Sequence, residues 1–161
     1  MADAQFTRQL ATIICIDAVG FSRLISENAD SAVAAFEKRA AIIRATSEAY
    51  GGEVFGAAGD SIMAEFGLPT SALMASLEFQ RRIAELDLRS PSDGRMLFRV
   101  GINTGDVIVR AASRYGDNVN IAARLQDIAP PGGIVVSETT LNHVRQVSAA
   151  RFCDMGEKRL K

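Results

Sequence analysis

The chain has 161 residues, of which 48% are hydrophobic and 23% are charged, and its formal net charge is −1. These values suit one globular domain, residues 1–161, with a hydrophobic core. The near-neutral charge offers no basic surface for nucleic acid or an anionic membrane, so neither partner is expected. The apolar runs are too short to span a bilayer and the N-terminus lacks a signal-peptide pattern, which favours a soluble, cytoplasmic domain.

Three strands and one long helix are predicted in the first half of the chain. The strands are predicted at residues 10–17, 53–58 and 61–66. Gly59 and Asp60 form the tight turn between the last two strands. The helix is predicted over residues 30–49, with Asp30 as its N-cap and Val33 on its buried face.

The second half is predicted to begin with a long helix that starts at Pro69. Strands are then predicted at residues 97–103, 106–110, 134–136 and 151–155, and helices at residues 118–128 and 138–147. The first two of these strands would form a hairpin around Thr104 and Gly105. Cys15 and Cys153 lie in strand-like apolar runs and are expected to be buried thiols without a disulfide.

This order of elements predicts an α+β fold with a ferredoxin-like βαββαβ core. Such a core is a mainly antiparallel sheet with helices packed on it. The first strand would then lie beside the first hairpin, near the centre of the sheet. Residues at the end of that strand and at the tip of that hairpin could meet at one edge.

Two aspartates occupy those positions. Asp17 ends the apolar run 11–16, and Asp60 precedes the apolar residues 62–64. A carboxylate at the edge of a buried strand costs free energy unless a cation or hydrogen bonds satisfy it. Two carboxylates on neighbouring strands are how two-metal phosphoryl-transfer sites hold their Mg²⁺ ions. For either aspartate alone, a strand-end turn is the competing interpretation.

Two further segments carry polar chemistry. After Asp17, a glycine turn leads to Ser22, a potential helix cap, and the backbone N–H groups of such a turn can hold a phosphate. Asn120 and Arg124 are four residues apart and share one helix face. An amide and a guanidinium projected together suit a charged phosphoryl transition state. An ordinary strand-to-helix connection and a solvated polar face are the respective alternatives.

In their order and spacing, the segments 15–24, 51–61 and 115–125 closely resemble the class III nucleotidyl cyclases of bacterial type. Lesser motifs at residues 99–106 and 156–161 extend this resemblance from about Thr12 to Lys161. By resemblance, Asp17 and Asp60 would bind two divalent cations, Mg²⁺ or Mn²⁺, with the carbonyl of Ala18 as an additional ligand. The triphosphate cradle would comprise Ala18, Val19, Gly20, Phe21 and Ser22.

The resemblance also implies a reaction and an assembly. The ribose 3′-oxygen of a purine nucleoside triphosphate would attack its own α-phosphorus and expel pyrophosphate, yielding a 3′,5′-cyclic nucleotide for signalling. Asn120 would orient the ribose, and Arg124 would stabilise charge on the α-phosphate. Because the family builds its sites between two chains, a head-to-tail homodimer is implied.

The sequence departs from the family at the two positions that usually read the base. Members that use ATP place a lysine and an aspartate where this chain has Gly56 and Ser113, so ATP is favoured over GTP only by the family's usual preference. Relatives usually continue with a strand after Lys161, so the domain is expected to lack its C-terminal strand.

Three other functions remain open from the sequence. A catalytically degenerate nucleotide-binding or regulatory homologue would explain Gly56 and Ser113. A polymerase or diguanylate cyclase would share the two-metal chemistry, although the neutral charge and the missing Gly-Gly-Asp-Glu-Phe signature disfavour it. A purely structural dimerisation domain would explain the apolar core but none of the polar motifs.

Overall fold

The computed structural model describes residues 6–146 and 149–161, and within them the chain forms six strands and five α-helices. The strands are β1 (Thr7–Ala18), β2 (Glu53–Ala58), β3 (Ser61–Phe66), β4 (Phe98–Arg110), β5 (Ser113–Tyr115) and β6 (Ile134–Val136). The helices are α1 (Phe21–Glu27), α2 (Ala29–Ala49), α3 (Pro69–Arg89), α4 (Asp117–Ile128) and α5 (Glu138–Val144). A 3₁₀ turn, Pro91–Asp93, follows α3.

The sheet is mainly antiparallel, with β1 at its centre. Its strand order is β2-β3-β1-β4-β5, and β6 runs parallel to β4. β1 pairs antiparallel with both β3 and β4, as the sequence β1-α2-β2-β3-α3-β4 of a ferredoxin-like core requires. The predicted α+β, ferredoxin-like fold is confirmed.

Each face of the sheet carries its own hydrophobic core, because successive residues of a strand point to opposite sides. On one face, Ile14 packs in a cluster with Phe36 of α2 and Phe79 of α3. On the other face, Cys15 packs in a cluster with Val119 of α4. Asp17 is two residues beyond Cys15 on β1, so it lies on the face that α4 covers.

A glycine in β4 lets α4 lie directly on the sheet. A Cβ at Gly101 would be 2.1 Å from the carbonyl oxygen of Ala122 and 2.3 Å from the backbone nitrogen of Gln126. Such distances leave no room for any side chain at this position. Phe55 of β2 and Met63 of β3 are only partly buried at the margin of the α4 core. The β2–β3 side of this face is therefore the more open one.

The predicted hairpin around Thr104 and Gly105 is wrong, since β4 runs through both residues. They pair with Thr12 and Ala11 of β1, which begins earlier than predicted and supplies partners along this length. Gly105 serves a close approach rather than a turn, because a Cβ there would be 2.3 Å from the Asn118 side chain. The actual hairpin joins β4 to β5.

The start of α2 also differs from the prediction. Asn28, not Asp30, is the N-cap, and its side-chain oxygen accepts a hydrogen bond from the Ser31 amide at 3.1 Å. Val33 is 46% exposed, because the buried face of the helix runs through Ala32, Phe36 and neighbouring positions instead.

The C-terminal expectations need two corrections. Residues 151–155 do not form a strand, and no described strand pairs with them. Cys153 is consequently exposed, whereas Cys15 is buried as predicted. α5 ends at Val144, and residue 147, where it was predicted to end, lies outside the described residues. In the described part of the chain, no helix is long and apolar enough to cross a membrane.

Candidate active site

The structure brings Asp17 and Asp60 together at one edge of the sheet. In the pairing of β1 with β3, Asp17 lies opposite Ser61, the residue that follows Asp60. Gly59, with a φ of 59°, makes the turn that places Asp60 beside the end of β1. The two carboxyl groups are close enough to share a hydrogen bond. Backbone register, rather than proximity in sequence, creates this acid pair.

The acid pair is electrostatically strained. Partial burial first, and then the hydrogen bond to Asp60 and its charge, raise the pKa of Asp17 from 3.8 to about 7. The positive charge of Arg99 acts in the opposite direction, and the negative charge of Asp127 on α4 adds to the rise. Two carboxylates this close cannot both ionise without a cost in free energy. A divalent cation held by both would remove that cost.

The donor atoms suit a cation that arrives with a phosphate. Among residues 6–146 and 149–161, no group of three or more His, Cys, Asp or Glu side chains is placed to hold a metal ion. Mg²⁺ usually binds one or two carboxylates together with substrate phosphates and water, and Mn²⁺ prefers the same oxygen ligands. Ala18, whose carbonyl would be an additional ligand by the family resemblance, follows Asp17 as the last residue of β1. The site therefore fits such an ion.

Arg99 is a site residue that the sequence analysis did not single out. It lies directly opposite Asp17 in the pairing of β1 with β4. Its Nε is buried and has no hydrogen-bond partner within the described chain, and its charge lowers the pKa of Asp17. The signal was a lone arginine between the buried residues Phe98 and Val100. An orphaned guanidinium nitrogen beside the acid pair suits an anionic ligand.

Residues 18–22 form the passage from β1 into α1. The amide of Val19 is not free, because it donates to the carbonyl oxygen of Leu97 at 2.8 Å. Gly20, with a φ of 71°, is the N-cap, so Ser22 is not the cap that the sequence suggested. As the first two residues of the helix, Phe21 and Ser22 have amides without an intrahelical acceptor. Those two amides, rather than that of Val19, are open to a phosphate.

Asn120 and Arg124 lie on the outer side of α4. Their side chains are exposed, while Val119 and Ala122 of the same helix are buried. Neither makes a hydrogen bond or ion pair with the acid pair or with any other described residue. The chain thus presents two separate polar groups, the acid pair and the exposed pair on α4.

The positions that usually read the base, Gly56 and Ser113, lie on strands at opposite ends of the sheet order. Gly56 follows a register shift in β2, and a Cβ there would make ordinary contact with Met63 at 3.7 Å. Ser113 begins β5 and is exposed. No hydrogen bond or ion pair joins Gly56 to Ser113 in the described residues. Other residues of β2, β3 and β5 do connect these strands.

A ferredoxin-like sheet with two carboxylates together at one edge, beside a strand-to-helix turn, is the arrangement that the resemblance to nucleotidyl cyclases led us to expect. The chain matches the family model described as "Adenylate and Guanylate cyclase catalytic domain" over residues 5–161. The chain belongs to this family.

Similar proteins share the family assignment. A Rhizobium meliloti (strain 1021) protein named "Putative adenylate cyclase 3" is 32% identical over 162 residues, covering 100% of this chain and 28% of its own length. The adenylate cyclase of Glutamicibacter nicotianae is 28% identical over 145 residues, covering 84% of this chain and 33% of its own length. The chain therefore spans about a third or less of these curated relatives.

A solved structure is similar over nearly the whole chain. The adenylate/guanylate cyclase/hydrolase from Silicibacter pomeroyi superposes with a TM-score of 0.86 at 30% sequence identity. The match covers 98% of this chain and 92% of that one. Its fold is that of the described chain.

Proposed function

We propose that this single domain is a cytoplasmic nucleotidyl cyclase. Its substrate is a purine nucleoside triphosphate, with ATP favoured over GTP, and its products are a 3′,5′-cyclic nucleotide and pyrophosphate. The convergence of Asp17 and Asp60 carries this proposal, because the family defines the chemistry and the acid pair supplies its metal ligands. Neither nucleic acid nor a membrane is a partner of the domain.

In the proposed mechanism, Asp17, Asp60 and the Ala18 carbonyl hold two divalent cations, Mg²⁺ or Mn²⁺. When bound, these ions lower the pKa of the ribose 3′-hydroxyl and neutralise charge on the phosphates. The amides of Phe21 and Ser22 bind phosphate oxygens at the start of α1. The bond from the 3′-oxygen to the α-phosphorus forms as the bond to the β-phosphate oxygen breaks; the 3′-hydroxyl proton passes to solvent water and pyrophosphate leaves.

Asn120 and Arg124 complete the site from a second chain. Their exposure, and their lack of contact with the acid pair, support a head-to-tail homodimer in which each chain supplies one half of each site. There Asn120 orients the ribose, and Arg124 stabilises the charge that develops on the α-phosphate. The open β2–β3 side beside Phe55 and Met63 is the surface that a second chain would cover.

Complementation between inactive variants tests both the site and the assembly. Asp60→Asn and Arg124→Ala chains should each be inactive as homodimers. In a mixed dimer, one site carries both defects and the other carries none. An equal mixture should therefore recover about a quarter of wild-type activity, measured as cyclic nucleotide and pyrophosphate formed from ATP or GTP. A mixture that stays inactive would contradict the shared site.

A second candidate, a nucleotide-binding homologue without turnover, is favoured by one observation. Gly56 has no side chain, and the exposed side chain of Ser113 makes no hydrogen bond within the described residues, so the lysine and carboxylate contacts usual for the base are missing. A site without such contacts discriminates weakly between bases. Metal-dependent binding of ATP or GTP without pyrophosphate release, across a range of protein concentrations, would support this candidate instead.

A further inference from the structure

A single arginine connects the two ends of the curled sheet. Arg114 belongs to β5, yet its Nη2 lies 3.1 Å from Glu53 Oε2 on β2, and its Nε donates to Glu65 Oε2 on β3 at 2.7 Å. The guanidinium carbon also lies over the Phe55 ring, 5.6 Å from its centroid. Only 5% of the Arg114 side chain is exposed. The contact therefore spans the concave side of the sheet, from its last antiparallel strand to its first.

The acidic residues of this cluster depend on the arginine. Glu53 and Glu65 are directly opposite each other in the pairing of β2 with β3. Like charges at such a position destabilise the pairing. Arg114 is in ion-pairing contact with both carboxylates and offsets their repulsion. Gln9 of β1 donates a further hydrogen bond to Glu65 at 2.6 Å, which orients that carboxylate.

Backbone pairing alone does not hold β5 against β2. β5 is three residues long, and its ladder joins only residues 108–110 of β4. In the described chain, the ion pairs of Arg114 are the only ones that join β5 to the β2–β3 hairpin. Because a guanidinium is planar and rigid, its bonds to two carboxylates fix both the distance between the strands that carry these groups and their relative orientation. Arg114 is therefore the side chain that links the two hairpins through ion pairs in the described residues.

We propose that Arg114 is a positioning residue for the nucleotide base. Its neighbour in β5 is Ser113, and its ring partner Phe55 precedes Gly56, so the contact sets the gap between the two positions at which the base is expected to bind. This inference rests on the proposed function. Since neither Gly56 nor Ser113 offers a lysine or carboxylate to hold the base, the width and rigidity of the gap select and retain it.

Arg114→Met tests the inference, because methionine keeps an apolar stem over Phe55 but removes the charge. The KM for ATP should rise about tenfold while kcat changes less than about threefold, since binding to the base is common to the ground state and the transition state. Any preference between ATP and GTP should move towards equality. Arg114→Lys keeps the charge but loses the planar guanidinium that can bond both carboxylates, and should recover part of the affinity for ATP.

Arg110→Met is the matched control. Arg110 lies on the same hairpin and also covers a ring, with its guanidinium carbon 5.0 Å from the centroid of Phe6, but it forms no ion pair with β2 or β3 among the described residues. Its KM should equal that of the wild type. If Arg114→Met does not fold, Glu65→Gln replaces it, and should raise KM by a smaller factor.

The outcomes separate this inference from the proposed function. An Arg114→Met protein that loses melting temperature and kcat with KM unchanged would show a merely structural role and overturn the inference alone. If the wild type binds but does not turn over, the affinity for a fluorescent ATP analogue with Mg²⁺ becomes the readout, and should fall in Arg114→Met but not in Arg110→Met. A wild type that neither binds nor converts a triphosphate would overturn both proposals.

Discussion

The two halves of the candidate site are held in different ways. The acid pair is placed by backbone register, because Asp17 and Asp60 occupy the end of β1 and the turn that precedes its partner strand. The proposed base positions, Gly56 and Ser113, lie on β2 and β5, which are not paired by backbone in the described residues and between which Arg114 makes an ion pair. The contrast indicates that the geometry of the proposed metal-binding half is as fixed as the sheet itself, whereas single side chains can change the geometry of the proposed base-binding half.

The largest expected effect comes from removing one member of the acid pair. Asp60→Asn should reduce cyclic-nucleotide formation roughly a hundred- to a thousandfold, because one carboxylate cannot hold two divalent cations. Asp106→Asn is the control, since Asp106 is an exposed carboxylate of β4 without an ion pair in the described chain. Equal activity in both variants would show that the acid pair does not carry the reaction.

Moving α4 should have the next largest effect. Gly101→Ala would place a Cβ 2.1 Å from the Ala122 carbonyl oxygen, so the helix that carries Asn120 and Arg124 must shift. We expect a loss of about 2–4 kcal/mol in the free energy of unfolding, together with reduced kcat in the protein that still folds. Urea titration measures the first quantity and initial rates at saturating substrate measure the second.

Gly67→Ala is the control for that substitution. An added Cβ at Gly67 meets nothing within 4 Å, so both stability and kcat should stay close to wild type. If Gly101→Ala behaved in the same way, α4 would tolerate displacement. The positions of Asn120 and Arg124 would then not depend on close packing of α4 against the sheet.

A buried ion pair on the opposite face offers a loss of stability that should not alter the chemistry. Arg39 is 0% exposed, and its Nε and Nη2 both donate to Asp87 Oδ1, at 3.0 and 2.6 Å. Its Nη1 donates to the Ala35 carbonyl oxygen, and Nη2 donates also to that of Gly94. Asp87→Asn leaves a buried cation without its counter-charge and should cost about 3 kcal/mol. KM and kcat should be unchanged below the melting transition. A change in KM would mean that the two faces of the sheet are coupled.

The surface ion pair between Lys38 and Asp93 is the matched control for that prediction. Lys38 Nζ lies 2.7 Å from Asp93 Oδ2, but 54% of the Lys38 side chain is exposed. Surface ion pairs contribute little, so Lys38→Ala should change the free energy of unfolding by less than about 1 kcal/mol. Thermal unfolding of both variants in one buffer makes the comparison.

The sequence predicted what depends on periodicity and missed what depends on packing between elements. The strands around Asp17 and Asp60 follow from apolar runs and a glycine turn, so their meeting at one edge could be inferred before the structure. Thr104 and Gly105 have the composition of a turn, but β1 supplies partners for both and Asn118 occupies the space beside the glycine. Tertiary contact, not local preference, decided that segment.

The same reasoning explains which site features were missed. In the sequence, Arg99 stands out only as a lone charge between apolar residues, and register was needed to place it opposite Asp17. The contacts of Arg114 join strands that are about 50 to 60 positions apart in the sequence, and nothing in the local pattern around residue 114 indicates them. The strand predicted at residues 151–155 has suitable residues, but no described strand edge receives it.

The smallest predicted effect follows from the raised pKa of Asp17, which burial and Asp60 move from 3.8 to about 7. Between these values the folded state binds more protons than the unfolded state, so the free energy of unfolding should fall as pH rises through this window. Because Asp17 is partly solvent-exposed, the loss should be about 1 kcal/mol rather than the full value of the shift. Melting temperatures in EDTA at about pH 5 and about pH 8 measure it.

Asp17→Asn should abolish most of that pH dependence and leave the protein more stable than the wild type at the higher pH without divalent cations. Mg²⁺ should restore wild-type stability there and have little effect on the variant, since binding to the folded state alone stabilises it. A wild type whose stability is the same at both pH values would mean that the acid pair carries no such strain. The carboxylates that destabilise the empty site are the groups that a cation would bind, so stability and metal affinity should change in opposite directions in every variant of this pair.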